Sequence, residues 1–338
     1  MFDKLSDKRC YIIAEIGGNF TTYEQALGLI DAAATAGVDA VKLQTFKAEA
    51  ITSKTAMFDM ECTGVISQIE YFKKYEIDKE LHKKIFDYIQ LKGLDWFSTP
   101  SHPDDVDMLH SLGVCCYKTG ADDATNLPFL KYIARKGLPI ILSTGMCTLK
   151  EVEEAVNAIE EEGNSKIVIL HTVSGYPTYP ENTNLNCILT LKSRFPHYNI
   201  GYSDHSLSTT AVIAAATMGA TVIERHFTLD KSAEGPDHML SSTPDEMKII
   251  VDTIRTIEVM KGSYVKMPFG PEVENRVNNR KSVVAVKDIK KGETLTEKNI
   301  YLKRPGTGIE PKFYYNFLGR VARIDLEADR ILSWNDLQ

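Results

Sequence analysis

Residues able to do chemistry recur at the ends of short apolar runs. Glu15 closes YIIAE, Lys42 and Gln44 lie in AVKLQ, Ser98 and Thr99 close DWFST, and Lys118 closes CCYK. Ser143 closes PIILS ahead of Thr144, His171 closes IVILH, NIGYS runs into Ser203-Asp204-His205, and TVIERH carries Glu224, Arg225 and His226. Two lysines among several hydroxyls, with no compensating excess of nearby carboxylates, suit a dianionic ligand such as phosphate or phosphoenolpyruvate, because Lys supplies charge and Ser or Thr supplies donors. Taken singly, each of these residues also has a plainer use as a loop cap.

His205 and His226 end neighbouring strands, where a spacing of ~4.8 Å lets two imidazoles converge on one ion. The alternative is one histidine that orders a loop and one that packs. Two imidazoles without a third protein ligand leave positions for water and substrate oxygens, which suits Mn²⁺ or Mg²⁺ better than a closed structural Zn²⁺ site. Glu15 reads either as a buried partner of Lys42 or as the group that orients or deprotonates a water beside the metal. Asp237, in GPDH, is either a turn carboxylate or a sugar-binding and acid–base group.

The elements that must position these residues alternate. Short β-rich runs at 11–15, 40–44, 95–99, 115–118, 139–143, 167–171, 199–203 and 221–226 are separated by segments such as EQALGLIDAAATAG and KEVEEAVNAIEEEG, whose apolar residues recur at three and four. Eight β-α units predict an α/β fold, a closed (β/α)8 TIM barrel over 1–262 with its chemistry at the carboxyl ends of the strands. The long interval from Lys47 to Leu94 is expected to elaborate the rim around Phe58 to Tyr75 with a lid or extra helices. Residues 263–280 have the texture of a linker, and 281–338 read as a small β-rich domain too short to bury much on its own, expected to dock on a barrel, its own or a partner's.

Composition narrows the setting. The 338 residues are 43% apolar and 25% charged, and no apolar run approaches the ~18 residues of a membrane span. The start, MFDKLSDKRCYIIAEIGG, has an apolar run too short and too soon interrupted by Glu15 for a signal peptide. Cys10, Cys62, Cys115, Cys116, Cys147 and Cys187 form no C-x-x-C pair, two of them adjacent in an expected buried strand, so reduced thiols in a cytoplasm are expected. A net charge of -7 argues against a general nucleic-acid surface.

The runs AEIGGN, VKLQ, FSTP, YKTGADDATNLP, IILSTGM, GYSDHS, IERHFT, GPDH and KRPG, in this order, resemble the sialic acid synthases of bacteria and animals over nearly the whole chain. The resemblance implies a TIM barrel followed by a SAF (antifreeze-like) domain. It implies condensation of phosphoenolpyruvate with an amino-sugar aldehyde: C3 attacks the aldehyde, a metal-associated water adds to C2, and C–O cleavage releases phosphate. By the same resemblance His205 and His226 hold a divalent metal, Mn²⁺ foremost with Mg²⁺ or Co²⁺ as alternatives, and Glu15 is the acid beside it. Lys42, Thr99, Lys118, Ser143 and Ser203 match the phosphoenolpyruvate cradle, while Gln44, Tyr176 and Asp237 match sugar contacts. Arg304 of KRPG matches an arginine that reaches the sugar from the SAF domain of a partner in a domain-swapped homodimer.

The chain departs from that pattern at Phe20, at GADD (120–123), where Ala121 removes a phosphate-directed hydroxyl, and at Ser174-Gly175. The acceptor therefore stays open between N-acetylmannosamine and the 2,4-diacetamido-trideoxyhexoses. Two other classes stay in view: a Schiff-base pyruvate aldolase on Lys42 or Lys118, and a non-catalytic carbohydrate-binding relative.

Overall fold

Runs such as IILS and IVIL present branched or bulky apolar side chains on both faces, the composition of strands covered on both sides by other elements. In the computed structural model, which describes residues 2–5, 9–60 and 64–338, they become parallel strands. In chain order the strands up to the barrel's last are β1 (Tyr11–Glu15), β2 (Ala40–Thr45), β3 (Met57–Met60), β4 (Gly64–Ser67), β5 (Asp95–Pro100), β6 (Tyr117–Thr119), β7 (Ile140–Ser143), β8 (Ile167–Thr172), β9 (Asn199–Asp204) and β10 (Val222–His226). Eight of them close in the order β1-β10-β9-β8-β7-β6-β5-β2, every neighbouring pair parallel.

Helices cover the barrel, and local sequence sets where several begin. Thr22 with Gln25, Thr148 with Glu151 and Thr243 with Glu246 each form a reciprocal cap that satisfies the free N–H groups of a first turn. The interval after β2 holds an antiparallel hairpin, β3 with β4, and the helix Gln68–Lys73. Phe46, Phe58, Tyr71 and Phe72 pack edge to face there, so the rim elaboration has an aromatic centre of its own.

Some expectations change. The strand anticipated at 115–118 begins at Tyr117, because β6 pairs with β5 at a single register position; Cys115, before it, is only half-buried. Its Sγ lies 3.9 Å from Cys116 Sγ, and the described cysteines are free thiols; Cys62 lies outside the described residues. The segment 263–280 contains the helix Pro271–Asn279.

The chain divides into two compact units, Met1–Gly262 and Ser263–Gln338. The second pairs β11 (Ser282–Ala285) antiparallel with β12 (Ile300–Lys303), and isolated bridges such as Ile289 with Leu326 extend the pairing. Val283, Leu295, Ile300, Phe317, Leu326 and Leu332 belong to its separate core. Among the described residues, no helix is long and apolar enough to cross a membrane.

Candidate active site

Alternation along a strand sends every second side chain into the barrel. Glu15, Lys42, Thr99, Lys118, Ser143, Ser203, Glu224 and His226 fall on that inward phase at the carboxyl ends of their strands, with His205 one step beyond β9. Thr144 and His171 fall on the other phase: Thr144 Oγ1 donates to the Leu170 carbonyl (2.7 Å), and His171 stacks on Tyr202 with Nε2 2.8 Å from the Thr183 carbonyl oxygen.

Four charged groups meet inside. Lys42 Nζ is in ion-pair contact with Glu15 Oε2, donates to Thr99 Oγ1 (2.9 Å) and lies 3.7 Å from Glu224 Oε1. Lys118 Nζ lies 3.8 Å from the same Glu224 oxygen, which also accepts from Ser203 Oγ (3.3 Å). Ser143 Oγ donates to Thr172 Oγ1 (3.1 Å). The expectation of lysines without nearby compensating carboxylates is thus corrected: Glu15 and Glu224 neutralise both. All four residues are at most 4% exposed, and unpaired ammonium groups are not tolerated at such depth.

Glu224, named at its strand end but given no role from the sequence, joins the functional candidates through its contacts with both lysines. The signal was present, since Glu224 precedes His226 by two residues and so shares its inward phase.

Electrostatics separate the two carboxylates. Burial pushes the Glu15 carboxyl up to about 7 against the pull of Lys42. Burial also opposes ionisation of Glu224, but Lys118 and Lys42 outweigh it and hold the carboxyl below its ordinary value. Burial works to lower Lys42, yet Glu15 and Glu224 together keep it above the usual lysine value, whereas burial leaves Lys118 below it. The cluster therefore has one firmly ionised carboxylate and one poised near neutrality, the separation that acid–base work needs.

Glu15 is held from behind. The Gly17 N–H donates to Glu15 Oε1, and a Cβ at residue 17 would stand 2.6 Å from that oxygen and 2.7 Å from Gln44 Cγ. Only glycine fits between Glu15 and Gln44, which fixes why IGG follows the glutamate.

The two histidines converge, with ring centroids 5.4 Å apart. His205 Nδ1 donates to the Val173 carbonyl (2.8 Å), which leaves the Nε2 lone pair free. His226 Nδ1 is buried without a hydrogen-bond partner, 3.5 Å from Asp237 Oδ2. Burial holds both imidazoles below their ordinary range, His226 far below it with His205 and Lys42 adding to the effect, so both are neutral as a metal ligand must be. The pair fits a divalent cation; among the described residues no group of three or more His, Cys, Asp or Glu side chains converges to enclose one. Such a site would keep open positions, the arrangement of a catalytic ion.

Asp237 is pushed up to about 7 by burial, with Glu15 adding to the effect. Tyr176 covers the histidines, its ring 4.2 Å from that of His205 and edge-on to His226 at 6.5 Å. The departures at 121 and 174 both lie against Gly145: a Cβ there would stand 3.0 Å from Ala121 Cβ and 2.3 Å from Ser174 Oγ, a buried hydroxyl without a partner. Phe20 is buried in the barrel's apolar core. Arg304 is exposed, just after β12 in the second unit.

The NeuB family matches residues 29–266 and the SAF domain residues 280–338. The chain is 38% identical to the N,N'-diacetyllegionaminic acid synthase of Legionella pneumophila, over 98% of this chain and 96% of that protein. It is also 38% identical to a pseudaminic acid synthase of Campylobacter jejuni, over 98% of each. Among solved structures, the N-acetylneuraminic acid synthetase of Leptospira borgpetersenii superposes with a TM-score of 0.72 at 31% identity, over 80% of this chain and 91% of that one.

Proposed function

The chain belongs to the NeuB family and carries a SAF domain, and from that premise we propose that it is a nonulosonic acid synthase that condenses phosphoenolpyruvate and water with an N-acetylated amino-sugar aldehyde. The observation that carries this reading is one constellation: Lys42 and Lys118 bound to Glu15 and Glu224, beside the His205–His226 pair, at the mouth of a barrel. Relatives named for legionaminic and pseudaminic acids support a 2,4-diacetamido-trideoxyhexose as the first acceptor to test, and one named for N-acetylneuraminic acid supports N-acetylmannosamine as the second.

In the reaction, C3 of phosphoenolpyruvate bonds to the aldehyde carbon, a water oxygen bonds to C2, and the C2–O bond to the phosphoryl group breaks. Inorganic phosphate leaves and C2 becomes the ketone of a nine-carbon acid. Lys42 and Lys118 hold the anionic charge, with Thr99, Ser143 and Ser203 as hydroxyl donors. Glu15, poised near neutrality, orients the water and takes its proton. Gln44, Tyr176 and Asp237 hold the sugar. A divalent cation on His205 and His226, Mn²⁺ foremost and Mg²⁺ or Co²⁺ after it, supplies Lewis-acid polarisation of the aldehyde oxygen when bound. In the assembly, a homodimer, Arg304 of one subunit completes the partner's sugar site.

The two carboxylates around Lys42 keep it an ammonium, which disfavours it as a Schiff-base nucleophile. The test is phosphate release from phosphoenolpyruvate by EDTA-stripped protein, with and without Mn²⁺, across N-acetylmannosamine and the two 2,4-diacetamido-trideoxyhexoses that lead to legionaminic and pseudaminic acid. Mn²⁺-dependent release with formation of a 2-keto nine-carbon acid is expected. Silence from folded, metal-loaded protein with every acceptor, or borohydride trapping of pyruvate on a lysine, would sink the proposal.

A further inference from the structure

The last rung of the β9–β10 ladder sets Arg225 opposite Asp204, and each of these residues is followed in the chain by one of the two histidines. Alternation turns Arg225 and Asp204 away from the barrel interior, yet they are only 1% and 0% exposed. Arg225 Nη1 meets Asp204 Oδ2, and Nε donates to Ser242 Oγ (2.9 Å). Asp204 accepts in addition from Tyr202 OH (2.9 Å), the Ser206 N–H (3.0 Å) and Ser206 Oγ (3.1 Å).

This network reaches the histidines through the backbone. The Ser242 N–H donates to the His226 carbonyl (2.8 Å), so Ser242 joins Arg225 to His226 by a second route besides the peptide bond. Ser206, bound to Asp204 through both its N–H and its hydroxyl, is the residue after His205. The result is a continuous chain of directional bonds from the carbonyl of one histidine to the residue flanking the other.

A buried ion pair gains little stability over a well-packed apolar pair, because both charges lose their hydration. Its distinguishing property is direction: a guanidinium fork anchored on two acceptors fixes the separation and twist of two strand ends more narrowly than apolar contact does. Groups behind metal-ligating side chains tune affinity in this way.

We propose that Asp204 and Arg225 are positioning residues that hold His205 and His226 at the separation a divalent cation requires. This rests on the metal reading above and acts through the histidines; neither residue touches the ion.

The experiment is a Mn²⁺ titration of the EDTA-stripped full-length chain, followed by loss of the free-ion electron paramagnetic resonance signal, with thermal melts in parallel. The apolar pair Asp204→Leu/Arg225→Met strands no charge and tests direction against packing. It is expected to fold, to melt no lower than the native chain, and to bind Mn²⁺ at least about tenfold more weakly, with Arg225→Lys between the two. A role in packing alone would move the melt and leave Mn²⁺ affinity in place. A folded apolar-pair variant with native Mn²⁺ affinity overturns the inference while the metal reading stands. Equal Mn²⁺ binding by the native chain and His226→Ala overturns the metal reading and the inference with it. Should the apolar pair not fold, Ser242→Ala removes one acceptor of Arg225 without stranding a charge. Weaker Mn²⁺ binding at an unchanged melt then supports the proposal, and unchanged binding overturns it.

Discussion

Glu224 Oε1 lies 3.8 Å from Lys118 Nζ, both residues buried at the carboxyl ends of their barrel strands. The same oxygen is 3.7 Å from Lys42 Nζ, so one carboxylate compensates both lysines proposed to hold the anionic substrate. Removing its charge leaves the two ammonium groups under-compensated until an anion arrives. Breaking a buried pair from one side costs about 3–5 kcal/mol. Glu224→Gln should therefore melt several degrees lower than the native chain without ligand, and inorganic phosphate should raise its melting temperature more than it raises the native one. Identical melts and identical phosphate responses would contradict this account.

Lys118 is the lysine with the weaker internal partner, its nearest carboxylate at 3.8 Å where Lys42 has Glu15 in direct contact. Lys118→Ala should act on binding, raising the KM for phosphoenolpyruvate by about 10- to 100-fold while kcat changes less. Steady-state kinetics at saturating acceptor provide the check.

His226→Ala should abolish both Mn²⁺ binding and turnover, with kcat falling by about 10³-fold or more. Titration of stripped protein with Mn²⁺, read alongside phosphate release, decides the point. Native metal occupancy at a normal rate would remove His226 from the site.

Glu15 predicts an unusual pH dependence of stability. Its carboxyl is raised in the folded chain from 4.5 to about 7, so between those values the folded state holds a proton that the unfolded state releases. The stability contributed by this group is full below 4.5 and is lost as pH rises through about 7. Glu15→Gln should flatten that decline, by about 3 kcal/mol across the window, in melts of EDTA-treated protein. An unchanged slope would mean that Glu15 is ionised throughout.

Arg304 and Lys118 provide a test of the assembly. If Arg304 of one subunit completes the partner's site, Arg304→Ala and Lys118→Ala chains, each impaired alone, should regain activity when unfolded and refolded together, because mixed dimers contain one intact site. No gain on mixing would confine each site to a single chain.

The barrel was legible from the sequence because its strands are apolar on both faces and its helices carry their own caps: YIIAE and IVILH have no stable alternative to burial, and Thr22 with Gln25 starts a helix from local bonds alone. The start of β6 was less legible, since the cysteines before Tyr117 are as apolar as a strand and only pairing decides where a strand begins. The convergence of His205 with His226 was also within reach, because adjacent strand ends must lie near one another.

The charge balance of the interior was a different matter. Lys42, Lys118, Glu15 and Glu224 come from four strands separated by up to 209 positions, and their mutual distances depend on closure and stagger of the barrel. Sequence by itself determined which residues stand at the strand ends and on which phase. Tertiary structure alone decided that Glu224 sits between two lysines, that Ser174 and Ala121 both lie against Gly145, and that Arg225 and Asp204 bind behind the histidines. The physical reason is that ionic and hydrogen-bond energies depend on separations of a few ångströms, which long-range packing sets and local patterning does not encode.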